Sequence, residues 1–191
     1  MALNDYLLPG AVVLVLGIVG VYFVYLFNRL MRYKNASDAN MGQIRVALKK
    51  RLDMIEQLLG AVKGYIRHER ELFKEIAEMR AKVMSTGAGS LGDIDRESRS
   101  ITGGLLAISE AYPELKANET VKKLMEAIIS VETEIARHRY TYNNVVQELN
   151  TMIDTIPSNF VANLAAVDKL EYLQFEENVE ARPDLTGISE S

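Results

Sequence analysis

The chain has 191 residues, a formal net charge of −4, and neither cysteine nor tryptophan. Without cysteine it has no disulfide, thiolate metal site, cysteine nucleophile or cysteine-linked lipid, and its frequent Ala, Leu, Glu and Lys, with four prolines, favour helix. The charge is uneven: residues 28–82 hold 13 basic against 7 acidic side chains and residues 83–191 hold 9 against 18, with no long basic patch interleaved with aromatics, so nucleic acid is not an expected partner.

From Tyr6 to Phe27 no residue is charged, and Arg29, Arg32 and Lys34 follow at once. As a helix these 22 residues span about 33 Å, which matches a hydrocarbon core of roughly 30 Å. Residues 7–27 are therefore read as a transmembrane helix anchored in the bilayer by Leu7, Leu8, Val12, Val13, Leu14, Leu16, Val21, Phe23 and Phe27, behind a short extracytoplasmic end at 1–6. Arg29, Arg32 and Lys34, with no basic residue before the run, are the topology signal. They place the protein in the cell membrane as a single-pass chain, amino terminus outside and the remainder in the cytoplasm. A cleaved signal peptide is disfavoured, because Asp5 precedes the run and Leu26-Phe27-Asn28-Arg29 ends it. Gly10, Gly17 and Gly20 lack the four-residue spacing of a close-packed helix dimer.

Between Ala36 and about Met84 apolar residues recur in steps of three and four with no proline, which predicts one amphipathic helix of roughly 70 Å. Asn35, Ser37, Asp38 and Asn40 are weak helix formers and mark a candidate break before it. Lys49, Lys50 and Arg51 read as a solvated face. Residues 85–92, rich in Gly and Ser, read as a flexible turn. A second helix from Asp93 to Tyr112 carries Ile94, Ile101, Leu105 and Ile108 at helical spacing, weakened by Gly103 and Gly104 at about 1 kcal/mol each relative to Ala. Pro113 ends it. Asn118 caps a third helix that runs to Ile156 on an unbroken three-four stripe, a coiled-coil-like seam. Pro157 stops that helix, and Ser158 caps a shorter fourth with Phe160, Val161, Leu164 and Val167 on its inner side. Residues 176–191 form an acidic flexible tail. The expected fold is all-α: a single amino-terminal transmembrane helix followed, over residues 28–175, by an up-and-down four-helix bundle with two long helices.

Little of this pattern carries chemistry. A carboxylate-bridged di-iron bundle needs Glu-x-x-His repeats, and Tyr65 and Ile135 stand three residues before the two histidines. His68-Glu69 lacks the second histidine of a zinc-protease motif. No metal or other cofactor is expected. His68, Glu69, His138 and Arg139 form a candidate buried polar cluster, because Glu69 and His138 interrupt apolar stripes where a polar pair would fix helix register at a cost in stability. Tyr140, Tyr142, Asn143 and Asn144 make a second polar group whose first reading is packing.

Several segments resemble the LemA family: Glu110 to Asn118 reads EAYPELKAN, Val62 to Tyr65 reads VKGY, and His68-Glu69 follows. Glu132, Ile135-Ala136, Arg139 and Tyr142-Asn143 continue the likeness, as do Ile156 to Asn159, Gln43-Ile44 and the LKKR run at 48–51. It covers nearly the whole chain. The resemblance implies an amino-terminal anchor, a cytoplasmic helical bundle and no established activity or cofactor, with some relatives associated with magnetosome membranes. The chain departs from the family pattern at Met41, where Trp is common, at Arg45, where Asp is common, and at Glu56, where Pro is common. Leu149 and Ile156 replace aromatics.

The second predicted helix is short enough to leave Ile44, Leu48, Leu52 and Ile55 without an intrachain partner, so this stripe is the candidate self-association surface. The sequence is thus read as a membrane-anchored, non-enzymatic scaffold that forms homo-oligomers and meets unknown protein partners. The alternatives are a membrane-remodelling or lipid-surface-binding element, and a ligand- or metal-binding bundle.

Overall fold

The helix of the apolar run does not end at the charged residues behind it. In the computed structural model, which describes residues 2–66 and 68–174 and the side chains of these except 2–8 and Ala88, one helix, α1, runs from Ala2 to Ala61. A 3-10 turn (Lys63–Tyr65) follows, then α2 (Glu69–Val83), α3 (Ala88–Ala111), α4 (Pro113–Lys116), α5 (Glu119–Asp154) and α6 (Ser158–Leu164). The fold is all-α, and no strand occurs among the described residues. The acidic tail at 176–191 lies outside them.

Several expected boundaries move. The polar residues after Lys34 do not interrupt α1, because Ser37 Oγ donates back to the Lys34 carbonyl at 2.7 Å and Asn40 Nδ2 to the Ala36 carbonyl at 2.8 Å. Bonded back to the preceding turn, these side chains offer the backbone no non-helical alternative. The single helix expected to reach Met84 instead breaks between Ala61 and Glu69. Gly60, Gly64, Val62, Tyr65 and Ile66 are all poor helix formers, Val62 is fully buried, and the Tyr65 ring packs on Tyr112 with centroids 4.8 Å apart. Glu69 and Glu71 then stand in the first turn of α2, where negative charge suits the exposed N–H groups.

Further on, α3 starts one turn before Asp93, and fully buried Leu91 repays that turn with apolar burial. The cap at Asn118 forms as expected, its Oδ1 accepting from the Thr120 N–H at 2.9 Å and the Val121 N–H at 3.3 Å. The fourth helix is the largest departure. α6 has seven residues; its buried side is Val161 and Ala162 with Val167 beyond it, while Phe160 and Leu164, expected inside, are 64% and 75% exposed.

The chain divides into two compact units. The first comprises Met1–Ala47 and Glu132–Tyr172. Its core joins Leu26 and Leu30 of α1 to Leu149 and Met152 of α5 and to Val161, Ala162 and Val167. Asn150 ties the segment after α6 to α5, donating to the Leu170 carbonyl at 2.9 Å and accepting from the Leu170 N–H at 3.0 Å. The second unit comprises, among the described residues, Leu48–Val131 and the two residues 173–174. Leu48, Leu52, Ile55, Leu58 and Leu59 of α1 are buried in it, as are Ile76 and Met79 of α2 and Leu91 and Leu105 of α3. Arg80 of α2 reaches Asp53 and Glu56 of α1, both at 2.8 Å, so the glutamate that departs from the family pattern is an ion-pair partner.

The candidate self-association stripe is thereby corrected. Ile44, Leu48, Leu52 and Ile55 are all fully buried within the chain. The sequence estimate counted only one short helix as cover, whereas residues of α5 share the first unit with Ile44 and both α2 and α3 share the second with the other three.

Candidate functional site

Every residue from Pro9 to Tyr25 is exposed, including Val12, Val13, Leu14, Leu16 and Val21. A helix apolar on all sides with nothing covering it has the chemistry of a membrane span. Tyr22, Phe23, Tyr25 and Phe27 gather at its carboxyl-terminal end, the depth at which aromatic rings suit the membrane–water boundary. Of the topology signal, Arg32 and Lys34 are exposed. Arg29 instead joins the first unit: it lies over the Tyr33 ring at 5.7 Å, donates to Tyr33 Oη at 3.5 Å and approaches Glu148 of α5 at 3.8 Å. Tyr33 in turn donates to Glu148 at 3.4 Å.

None of the four residues of the proposed buried polar cluster is fully buried. His68 is exposed and Glu69 half-buried, and both belong to the second unit. The break after Ala61 turns Glu69 from a seam residue into the first residue of α2, where it pairs with Lys63 at 3.4 Å. His138 and Arg139 are half-buried in the first unit, His138 standing 3.8 Å from Glu134 on its own helix. Of the second polar group, Tyr142 is buried and donates to the Glu171 carbonyl at 3.2 Å, while Tyr140 is exposed. Burial, seconded by Asp38 and Glu171, raises the Tyr142 phenol above its usual range.

The buried charge lies elsewhere. Arg51, expected on a solvated face, is fully buried, and Lys49 and Lys50 alone remain outside. Its Nη2 donates to Asp95 Oδ1 at 2.8 Å and to the Asp95 carbonyl at 3.1 Å, and it also donates to Ser98 Oγ. Arg99 Nε stands 2.9 Å from the other Asp95 oxygen, so one carboxylate faces two guanidiniums. The Ser98 hydroxyl proton is directed to the Ile94 carbonyl at 2.7 Å, with that of Asp95 at 3.0 Å, so no base activates it. The network is built to hold helices together. The legible signal was helical spacing, since Arg51 stands four residues from both Ala47 and Ile55, inside the buried stripe.

On the surface of the second unit, Glu75 and Glu97 share a shallow groove with Asp93, Arg96, Ser100 and Ile101. Partial burial raises the Glu75 carboxyl above its usual range, and the neighbouring Glu97 carboxyl adds to the shift. Among the described residues no cluster of acidic and histidine side chains has the geometry of a metal site.

An exposed apolar helix long enough to cross a membrane, passing unbroken into a packed all-helical unit, defines a membrane-associated helical protein. Comparison with known proteins refines that class. The family model described as "LemA family" matches residues 40–186. The chain is 30% identical over 145 residues to the protein LemA of Metamycoplasma hominis, covering 74% of this chain and 66% of that one. It is also similar to the magnetosome protein MamQ 2 of Paramagnetospirillum magneticum, at 22% identity over 175 residues covering 78% and 64% of the two chains. The magnetosome protein MamQ of Magnetospirillum gryphiswaldense is 22% identical over 197 aligned positions, covering 85% and 72%. The chain thus spans just under two thirds of the first of these relatives and of MamQ 2. It belongs to the LemA family.

Proposed function

We infer that this chain is a non-enzymatic scaffold held in the cell membrane by a single span, its amino terminus outside and its helical units in the cytoplasm. The observation that carries this reading is the continuity of α1, whose exposed apolar residues up to Tyr25 lead without a break to Leu26 and Leu30, already in the core of the first unit. A helix shared by bilayer and core fixes the attitude of that unit to the membrane, as a surface presenting binding sites to cytoplasmic partners requires. The relatives named as magnetosome proteins support a role at a membrane. Self-association, where it occurs, uses a surface other than Ile44, Leu48, Leu52 and Ile55, since these are buried. Protease added outside sealed cells should spare the carboxyl-terminal portion, and crosslinking in intact cells should capture protein partners. Digestion of that portion from outside ends the topological part of the reading; turnover of a small molecule by pure protein ends the non-enzymatic part.

A further inference from the structure

At the end of α5 and along α6, Ile156, Phe160 and Leu164 are 77%, 64% and 75% exposed. They recur every four residues, so Phe160 and Leu164 share the face of α6 opposite to Val161 and Ala162. From Thr155 to Val167 no residue is charged, and an ion pair of 2.8 Å between Asp154 and Lys169 closes the two ends of this segment. Three large apolar side chains left uncovered on so short a neutral segment mark a surface that something covers.

Position says what covers it. Val161 and Ala162 pack in one cluster with Leu26 and Leu30 of α1; Leu26 stands one residue before the end of the apolar run and Leu30 three residues beyond it. If hydrocarbon ends near Phe27, Leu30 stands only about 6 Å past Leu26 along the helix axis. The headgroup zone on each side of a bilayer is roughly 5–7 Å deep. α6 therefore lies at headgroup depth, where its outer face meets lipid on every side that the first unit does not cover. We propose that Ile156, Phe160 and Leu164 form a second membrane contact, a short apolar wedge seated in the inner-leaflet interface beside the exit of α1. Exposed Arg32 and Lys34 follow about 7.5 and 10.5 Å past Phe27 along the helix, within reach of anionic headgroups through their long side chains. The wedge gives the first unit two points of attachment to lipid instead of one.

This inference rests on α1 spanning the bilayer, and the test separates the two. Because the chain has no tryptophan, Phe160→Trp supplies a single emitter at an exposed position, and Leu164→Trp a second should the first misfold. Full-length protein is reconstituted in phosphatidylcholine–phosphatidylglycerol vesicles whose acyl chains carry bromine either near the headgroup or near the terminal methyl. Val19→Trp reports on the span, and Tyr140→Trp, fourteen residues or about 21 Å up α5 from Asp154, reports on the exposed head. The expected result is blue-shifted emission at 160 and 164, quenched more by bromine near the headgroup than by bromine near the methyl, with the emitter at 140 unaffected by either. Water-like emission at 160 and 164, open to aqueous iodide, overturns the wedge and leaves the anchor standing. Blue-shifted emission insensitive to both bromines means protein covers the patch, and that also overturns it. An unquenched emitter at position 19 removes the anchor and the wedge together.

Discussion

At the scale of single residues, the most consequential group is Arg51, buried against Asp95 and Ser98. Removing one partner of a buried ion pair strands the other charge, at a cost of about 3–5 kcal/mol, whereas replacing both with apolar groups is often neutral or better. Asp95→Ala is therefore expected to destabilise by that amount in urea unfolding, and Arg51→Met with Asp95→Leu to recover most of it. A double variant no more stable than the single one would mean that the network contributes net stability. A charged group buried between helices is what the sequence suggests for Glu69 and His138. The misplacement has a plain cause: three adjacent basic residues read as one solvated face, although successive positions on a helix differ by about 100° and only two of the three point outward. Glu75 makes the pH-dependent prediction. Its folded carboxyl titrates above its ordinary value, chiefly through burial and then through Glu97, so its contribution is complete below the unfolded carboxylate range and is lost as pH rises through the raised value. Glu75→Gln should leave stability unchanged at acid pH and raise it at neutral pH, which denaturation at the two pH values will show.

At the scale of elements, two positions carry the residue better suited to the other. Gly104 lies in the middle of α3, exposed, with open space where a Cβ would go. Ala166 ends α6 at φ 50°, and the Val167 N–H reaches the Ala162 carbonyl at 3.1 Å while its own N–H reaches Asn163 at 3.2 Å. That is the Schellman arrangement, in which glycine is the usual left-handed residue. Gly104→Ala should stabilise by about 1 kcal/mol, and Ala166→Gly by up to about 1 kcal/mol, both read as raised thermal midpoints. Helix type and the long α5 were legible because periodicity and the Asn118 cap are local signals. The break after Ala61 was not, because the apolar spacing runs on through Val62 and Ile66 and the departure depends on Tyr65 finding Tyr112 far along the chain. Nor was the short α6. A seven-residue helix offers too few positions to decide which side is buried, and here Val161 and Ala162 were drawn in by Leu26 and Leu30.

At the scale of the whole molecule, the proposed orientation in the membrane rests on the difference in basic residues across the span. Arg29 is committed to Tyr33 and Glu148 in the first unit, so it is not a clean probe of that bias. Arg32 and Lys34 are exposed, and their replacement leaves the packing beneath them intact. Arg32→Gln with Lys34→Gln leaves the span and the core as they are, yet it removes two of the three charges on which the proposed orientation rests. Adding Asn4→Lys places a competing charge before the span. The paired change should be tolerated with a small misoriented fraction, and the triple change should raise that fraction clearly, as read by a reporter enzyme fused to the carboxyl terminus that is active on one side only. Should the triple variant remain fully oriented, the folded units behind α1, rather than the charges at its exit, would be what keeps the carboxyl-terminal portion from crossing.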